Sequence, residues 1–284
     1  MKLSVIIINY NARDLLNQCL ISVQNANADI ENEIIVVDNN SNDGSQELLT
    51  NSFKQIQFHF LKENMGFAKA CNLGYRNSTG EFVLFLNPDT IISTDCLKQC
   101  ISFLENTIDA GALGVRMIDG KGKFLKESKR GFPSPATSFF KLFGFAKLFP
   151  HSKTFAKYYS GQLPEKETNP VDVLSGAFMM IRKNVLEKVD GFDEDFFMYG
   201  EDIDLSYRIT KAGYKNYYLG SITITHLKGG STSYNLKYVN DFYKAMQIFI
   251  EKHYRGKRSL FFIWLLYAGI WFRKMIAAAG LLFR

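Results

Sequence analysis

Three motifs are missing from this chain. No Gly-x-Gly-x-x-Gly follows its first apolar run, and neither Gly-x-x-x-x-Gly-Lys-Ser/Thr nor Gly-x-Ser-x-Gly occurs anywhere. The absences argue in turn against a dinucleotide oxidoreductase, a P-loop nucleotide site and a serine-hydrolase elbow. Cysteine is scarce. Cys19, Cys71, Cys96 and Cys100 include no Cys-x-x-Cys pair and no interleaved histidines, so they read as free thiols in a reducing compartment rather than a zinc site. Excess charge is missing from the body. The net charge is +6, and residues 251–284 carry seven basic residues against one acid, which accounts for all of it. A neutral body argues against nucleic acid as a partner. Proline is nearly absent outside one stretch: five of the six lie between Pro133 and Pro170. The N-terminal run lacks the longer apolar core and cleavage site of a signal peptide, so the catalytic part is expected in the cytoplasm.

What is present is an alternation. Leu3–Asn9 reads as a buried strand, Ala12–Gln24 as a helix, Glu33–Asp38 as a second strand. A helix follows Asp43, a plausible N-cap. Ile56–Leu61, Gly66–Arg76 and Glu81–Leu86 continue as strand, helix and strand. This order predicts a mostly parallel central sheet with helices on both faces, an α/β fold. Ligands of such sheets bind beyond the carboxyl ends of the strands, where Asn9, Asp38 and Asp89 fall. Further on, Ser175–Ile181 is a buried run, Asn184–Val189 and Ile203–Ala212 read as helices, and Tyr217–Thr225 as a strand. Tyr238–Tyr254 is an amphipathic helix.

Two acidic clusters carry the chemistry. Phe85-Leu86-Asn87-Pro88-Asp89 puts a carboxylate just past an apolar strand, where it can hold a divalent metal. Tyr199-Gly200-Glu201-Asp202-Ile203-Asp204 puts three carboxylates at a helix start, where one can become a general base. Together they suggest transfer from a metal-bound phosphate ester to a hydroxyl. Residues 120–172 lie between the clusters, rich in proline, aromatics and lysine. They read either as a surface insertion or, preferably, as a wall of the acceptor site.

The ordered set of motifs resembles family 2 glycosyltransferases of the GT-A fold, with residues 1–250 as the catalytic domain. The set comprises Val5–Asn11, Val36-Val37-Asp38-Asn39-Asn40-Ser41-Asn42-Asp43-Gly44-Ser45, Asn64–Asn72, Leu86–Asp89, Ser175-Gly176-Ala177, Gly191–Glu194, Gly200–Leu205 and His226. Asn-Pro-Asp, with Arg130-Gly131-Phe132-Pro133, is similar to the rhamnosyltransferase-like branch. The resemblance implies direct, inverting displacement on a dTDP-, UDP- or GDP-sugar. Asp202 would be the base, raised by Glu201, Asp204 or burial, with Glu201 in support. Asn9, Asp38, Asn64, Gly66, Asn72, Asn87 and Lys228 would line the donor site, and Asp89 with His226 would hold Mg²⁺ or Mn²⁺. Asn87 stands where the family commonly has a first aspartate, and an amide is a weaker ligand for a hard metal. Several positions have plainer readings: Asp38 as a turn cap, Asn72 as a partner of backbone groups, His226 as a structural histidine, Lys228 as a solvated loop residue.

Residues 251–284 form a basic, apolar tail. Leu260–Phe272 is uncharged, Arg273-Lys274 interrupts, and Met275–Phe283 is apolar again. Spanning would place two cations near mid-bilayer at about 2.5–3.5 kcal/mol each. A monotopic anchor or a re-entrant hairpin at the cytoplasmic face of the membrane is therefore favoured, and a dimerisation helix is the alternative. A lipid-linked saccharide is then the expected acceptor, in cell-surface polysaccharide synthesis. Two competing functions are a sugar-nucleotide pyrophosphorylase, disfavoured by the absence of a glycine-rich loop after the first strand, and a catalytically silent nucleotide-binding or scaffolding module.

Overall fold

The structure is a computed structural model that describes residues 1–27, 29–132, 157–227, 235–256 and 259–281. Its first half alternates: β1 (Leu3–Asn9), α1 (Arg13–Ala26), β2 (Asn32–Asp38), α2 (Ser45–Ser52), β3 (Gln57–Phe60), α3 (Phe67–Arg76) and β4 (Phe82–Leu86). Then come β5 (Thr90–Ile91), α4 (Cys96–Asn106), β6 (Ala110–Ile118), β7 (Asn169–Val171), β8 (Phe178–Arg182), α5 (Lys183–Lys188), α6 (Glu201–Lys211) and β9 (Lys215–His226). Two long helices, α7 (Leu236–His253) and α8 (Leu260–Ala279), end the chain.

The strands form one sheet in the order β3-β2-β1-β4-β8-β6-β9-β5, with β7 also on β9. β3, β2, β1 and β4 are parallel, as the alternating pattern requires. β8 runs against both β4 and β6. β1 leads to β2 on one side and has β4 on the other, which makes the gap beyond their carboxyl ends the crevice for a ligand. Because β8 is antiparallel, its entry segment Ser175–Ala177 reaches that same edge: the Asn87 N–H donates to the Ala177 carbonyl at 3.0 Å.

Both faces of the sheet are dry. Leu3, Val5 and Ile7 join a core with α1, α2 and α4, while Ile6 and Ile8 join a second core with α3, α5 and α6. The two-residue period of a strand sorts them, and burial on both faces makes the run read as continuously apolar. Each such aliphatic side chain contributes about 1.5–3 kcal/mol on burial. All four cysteines are free and buried.

The region from 120 to 172 is described at both ends. Asp119 turns the chain after β6 by accepting from the Lys121 and Lys123 N–H groups, each at 2.9 Å. At the far end Lys129 is buried, and its Nζ donates to the carbonyls of Ser160 and Leu163. Residues 133–156 lie outside the described residues.

Two helices build the tail. α7 runs across residue 250, so the tail's packing unit is α7 with α8. α8 is one continuous helix through Arg273 and Lys274, long and apolar enough to cross a membrane. Ile263 and Ile270 pack on Val239, Tyr243 and Ile250 of α7, while Leu260, Phe261, Trp264, Trp271, Phe272 and Met275 are exposed. The Tyr267 hydroxyl donates to Glu251, and the Tyr254 ring packs on Phe262 at 6.1 Å, so α8 folds back along α7.

Candidate active site

The floor of the crevice is built from strand ends. Asn9 and Asp38 are opposite residues at the last rung of the β1–β2 ladder, and the Asn9 amide donates to Asp38 Oδ2 at 2.8 Å. Asp38 Oδ1 accepts from the Ser41 N–H at 2.9 Å and the Gln46 amide at 3.2 Å. The carboxylate is fully buried, so its plain role of capping this turn is realised. Asp43 does more than cap one helix. Its two oxygens accept from the first N–H groups of α2 (Ser45) and α1 (Arg13), the former across the left-handed Gly44. Asn39, directly after Asp38, has a role that escapes sequence reasoning. Its side chain accepts from the Met65 N–H at 2.9 Å and donates to the Gly66 carbonyl at 3.1 Å, which ties the Asn64–Gly66 turn to the end of β2.

Two residues expected at the donor site also make contacts that hold the fold together. Gly66 has φ +87°, and a Cβ there would lie 2.5 Å from the Phe197 carbonyl oxygen. The close approach that demands glycine is thus to the chain before α6, where the Phe67 N–H donates to Phe197 at 2.7 Å. Asn72 does not border the crevice with a free amide. Its side chain donates to the Phe192 carbonyl and Glu194 and accepts from the Phe192 N–H, at 2.8, 3.0 and 2.9 Å. It staples α3 to the Gly191–Glu194 turn. Asn64 accepts from the Gly66 N–H at 3.0 Å and stays half-buried at the rim. Lys228 lies outside the described residues.

Beyond β4 the chain makes the second part. The Asn87 carbonyl accepts from the Thr90 hydroxyl at 2.7 Å, and Cys19 packs beneath it, its thiol pushed up to about 12 by burial. β5 then pairs with β9, placing Thr90 opposite His226, and the Leu227 N–H donates to the Asp89 carbonyl. This brings the buried His226 Nε2 to 3.1 Å from Asp89 Oδ1. The approach is not aligned as a hydrogen bond: among the described residues, Asp89 Oδ1 and His226 Nδ1 are both buried without a hydrogen-bond partner. A carboxylate oxygen and an imidazole nitrogen so placed fit two positions around a divalent ion. Among the described residues no third His, Cys, Asp or Glu joins them.

The third part is the first turn of α6. Tyr199 and Gly200 precede it with φ +69° and +80°, and that tight entry sends its three carboxylates three ways. Asp202 faces β8's entry segment. Its Oδ2 accepts from the Gly176 N–H at 3.1 Å and from Arg130 at 2.5 Å, and its Oδ1 accepts from the Ile203 N–H at 2.8 Å. Glu201 turns inward and is buried, with Oε2 unpartnered among the described residues. Sequence reasoning names Asp202 as the raised carboxyl of this turn, whereas the structure raises Glu201. Burial first, and the charge of Asp202 second, push it up to about 8. Asp204, fully buried, pairs with Arg208 and His253.

The raised Glu201 has a testable consequence. Unfolded, it ionises near 4.5, and folded, near 8. The stability associated with its neutral form is therefore complete below pH 4.5 and lost as pH rises through 8. Glu201→Gln keeps a neutral side chain at every pH. Its melting temperature relative to the parent should climb between about pH 5 and about pH 9, and a pH-independent difference would contradict the assignment.

Arg130 is the site residue with the least sequence signal. It stands 72 residues before its partner, and only its Arg-Gly-Phe-Pro setting marks it. Its backbone pairs both ways with Val173, and its guanidinium also donates to the Leu174 carbonyl. The second and third parts meet through one short segment: Gly176 touches Asp202, and the adjacent Ala177 touches Asn87, two residues before Asp89.

Known proteins resemble this chain over most of its length. A family model described as glycosyl transferase family 2 matches residues 4–190, and a second, described as the N-terminal domain of galactosyltransferase, matches residues 163–235. The chain is 27% identical over 235 residues to an N-acetylglucosaminyl-diphospho-decaprenol L-rhamnosyltransferase of Mycobacterium tuberculosis, covering 78% of this chain and 76% of that protein. It is 29% identical to rhamnosyltransferase WbbL of Escherichia coli K12, covering 78% and 82%. Among solved structures, a mannosyltransferase of Pyrobaculum calidifontis with GDP-Man and Mn²⁺ superposes with TM-score 0.60 at 18% identity, covering 98% of this chain and 73% of that one. TarS of S. aureus gives 0.58 at 22%, covering 87% and 64%. These likenesses show a shared GT-A fold.

Proposed function

The chain belongs to glycosyl transferase family 2, and on that footing we propose that it moves a sugar, rhamnose for preference, from a nucleoside-diphosphate donor to a hydroxyl of a lipid-linked saccharide. It is an inverting glycosyltransferase of glycan synthesis. The observation that carries the residue roles is the Ser175–Ala177 segment, which joins the Asp202 turn to the Asn87–Asp89 turn at one edge of the sheet. Rhamnose and the lipid-linked acceptor rest on relatives whose names state them.

Asp202 accepts the acceptor hydroxyl's proton as that oxygen attacks the anomeric carbon. The bond from that carbon to the diphosphate oxygen breaks, and its electron pair leaves with the diphosphate. One displacement inverts the centre and needs no covalent intermediate. Gly176 and Arg130 hold Oδ2 while this happens. Asp89 and His226 would hold Mg²⁺ or Mn²⁺, which supplies charge stabilisation of the departing diphosphate when bound. Asn9, Asp38, Asn39 and Asn64 shape the floor under the nucleotide.

We place α8 in the membrane interface, lying along it. Trp264 and Trp271 are exposed on it, and tryptophan is the residue of the headgroup layer. Arg273 and Lys274 would each cost about 2.5–3.5 kcal/mol at mid-bilayer, so an in-plane helix is cheaper than a spanning one. The cytoplasmic face is where a nucleotide-sugar is available.

Release of nucleoside diphosphate from dTDP-, UDP- and GDP-sugars, with Mn²⁺ or Mg²⁺ and membrane lipid extract, tests the reading. Release with one donor that EDTA abolishes is expected. The same preparation should float with anionic vesicles, while a chain ending at Arg255 should not. Binding of a donor with no release in any extract would favour a silent nucleotide-binding module.

A further inference from the structure

A buried polar network runs behind the base helix and takes no part in the chemistry above. Asp204 has no exposed surface. Its Oδ2 accepts from Arg208 Nε at 2.6 Å, and its Oδ1 accepts from His253 Nε2, also at 2.6 Å. A carboxylate only accepts here, so Nε2 carries the proton. The His253 ring lies between Tyr207 of α6 and Phe249 of α7, with centroid distances of 4.5 and 4.7 Å. In the other direction Arg208 donates to the carbonyls of Val189 and Gly191. That turn bends through left-handed Asp190 and Gly191 and is stapled by Asn72. One chain of hydrogen bonds therefore joins α3, the Gly191–Glu194 turn, α6 and α7.

Buried charges are costly unless paired, and their best-attested use is to fix register. The apolar contact between α7 and the region before α6 is made by Phe196, Ala245 and Phe249, and such contacts are non-directional. The His253–Asp204 bond is directional and buried. It fixes where α7 sits along α6 within two residues of Asp202, and α7 is the helix on which α8 packs.

We infer that His253 is a positioning residue for transfer: through Asp204 it sets the first turn of α6, and with it the aim of Asp202, from the helix that bears the membrane-facing tail. This rests on the transferase reading and deepens it.

The test uses the full chain and compares His253→Leu with His253→Gln, whose amide reaches the same carboxylate. His253→Leu should lower kcat about 10- to 100-fold, the scale of a reacting group misplaced by an ångström. Its donor KM should stay within about twofold of the parent. His253→Gln should recover most of kcat. If His253→Leu does not fold, His253→Asn, polar but too short to reach Asp204, takes its place with the same expectation. Unchanged kcat in the Leu or Asn variant overturns the inference. So does a fall in kcat, donor affinity and melting temperature together that Gln does not rescue, because that pattern marks a merely structural contact. A wild-type chain that releases no nucleoside diphosphate from any donor overturns the transferase reading and this inference with it. An active wild type with an indifferent His253→Leu overturns this inference alone.

Discussion

Asp202→Asn is expected to bind donor within about twofold of the parent while transfer falls about 10³-fold, within the range of a lost general base. That is about 4 kcal/mol of transition-state stabilisation. The substitution changes little in shape. An Asn side-chain oxygen can still accept from Gly176 and Arg130, which now hold Oδ2 at 3.1 and 2.5 Å, but it cannot take the acceptor's proton. Donor affinity, read by calorimetry or fluorescence with metal present, separates the outcomes. Lost binding would make Asp202 a donor ligand. Full transfer activity would remove it from the chemistry and leave the raised Glu201 as the carboxyl to examine.

Asp89→Ala is expected to reduce transfer about 10²- to 10³-fold, the scale of a lost electrostatic partner of the leaving group. It should also weaken donor binding only when metal is present. The specificity of that pattern comes from the geometry. Asp89 Oδ1 is buried without a hydrogen-bond partner among the described residues, 3.1 Å from His226 Nε2. Were the two residues only a structural pair, the loss would appear in melting temperature and would not depend on EDTA. With Asn87 in place of a carboxylate, Asp89 is the acid of the Asn-Pro-Asp turn. The chain should therefore tolerate loss of Asp89 less than a member of the family with two acids there.

Local pattern made the catalytic half of the fold legible. β1 is apolar without a break because both its faces are dry, and its bounds follow from that run alone. α4 is legible as well, from the helical spacing of Leu97, Cys100, Ile101 and Leu104, although the expectations drawn from sequence omit it. Asp89 could be singled out because an acid three residues past five buried strand residues has few structural uses.

The contacts that assemble the site are of another kind. Arg130 meets Asp202 across 72 residues and His253 meets Asp204 across 49. No period or spacing encodes such a meeting, since it follows from β8 running against β4 and from α7 returning over α6. Gly66 shows the limit for a residue correctly noticed. The sequence signals that a close approach needs glycine, but only the fold shows that the neighbour is Phe197. α8 shows it for charge, because Arg273 and Lys274 interrupt the apolar composition but not the helix.

If α8 lies in the membrane interface as proposed, the hairpin of α7 and α8 would also work as a ruler. With α8 seated in a bilayer surface, the packing of Ile263 and Ile270 on α7 and the bond from His253 to Asp204 leave little slack between lipid and base. Asp202 then stands at one fixed height. A lipid-borne glycan whose open hydroxyl lies at that height is within reach, and the same glycan one sugar longer carries its new end past the base. Chain growth would stop after a single addition, with no separate device to count.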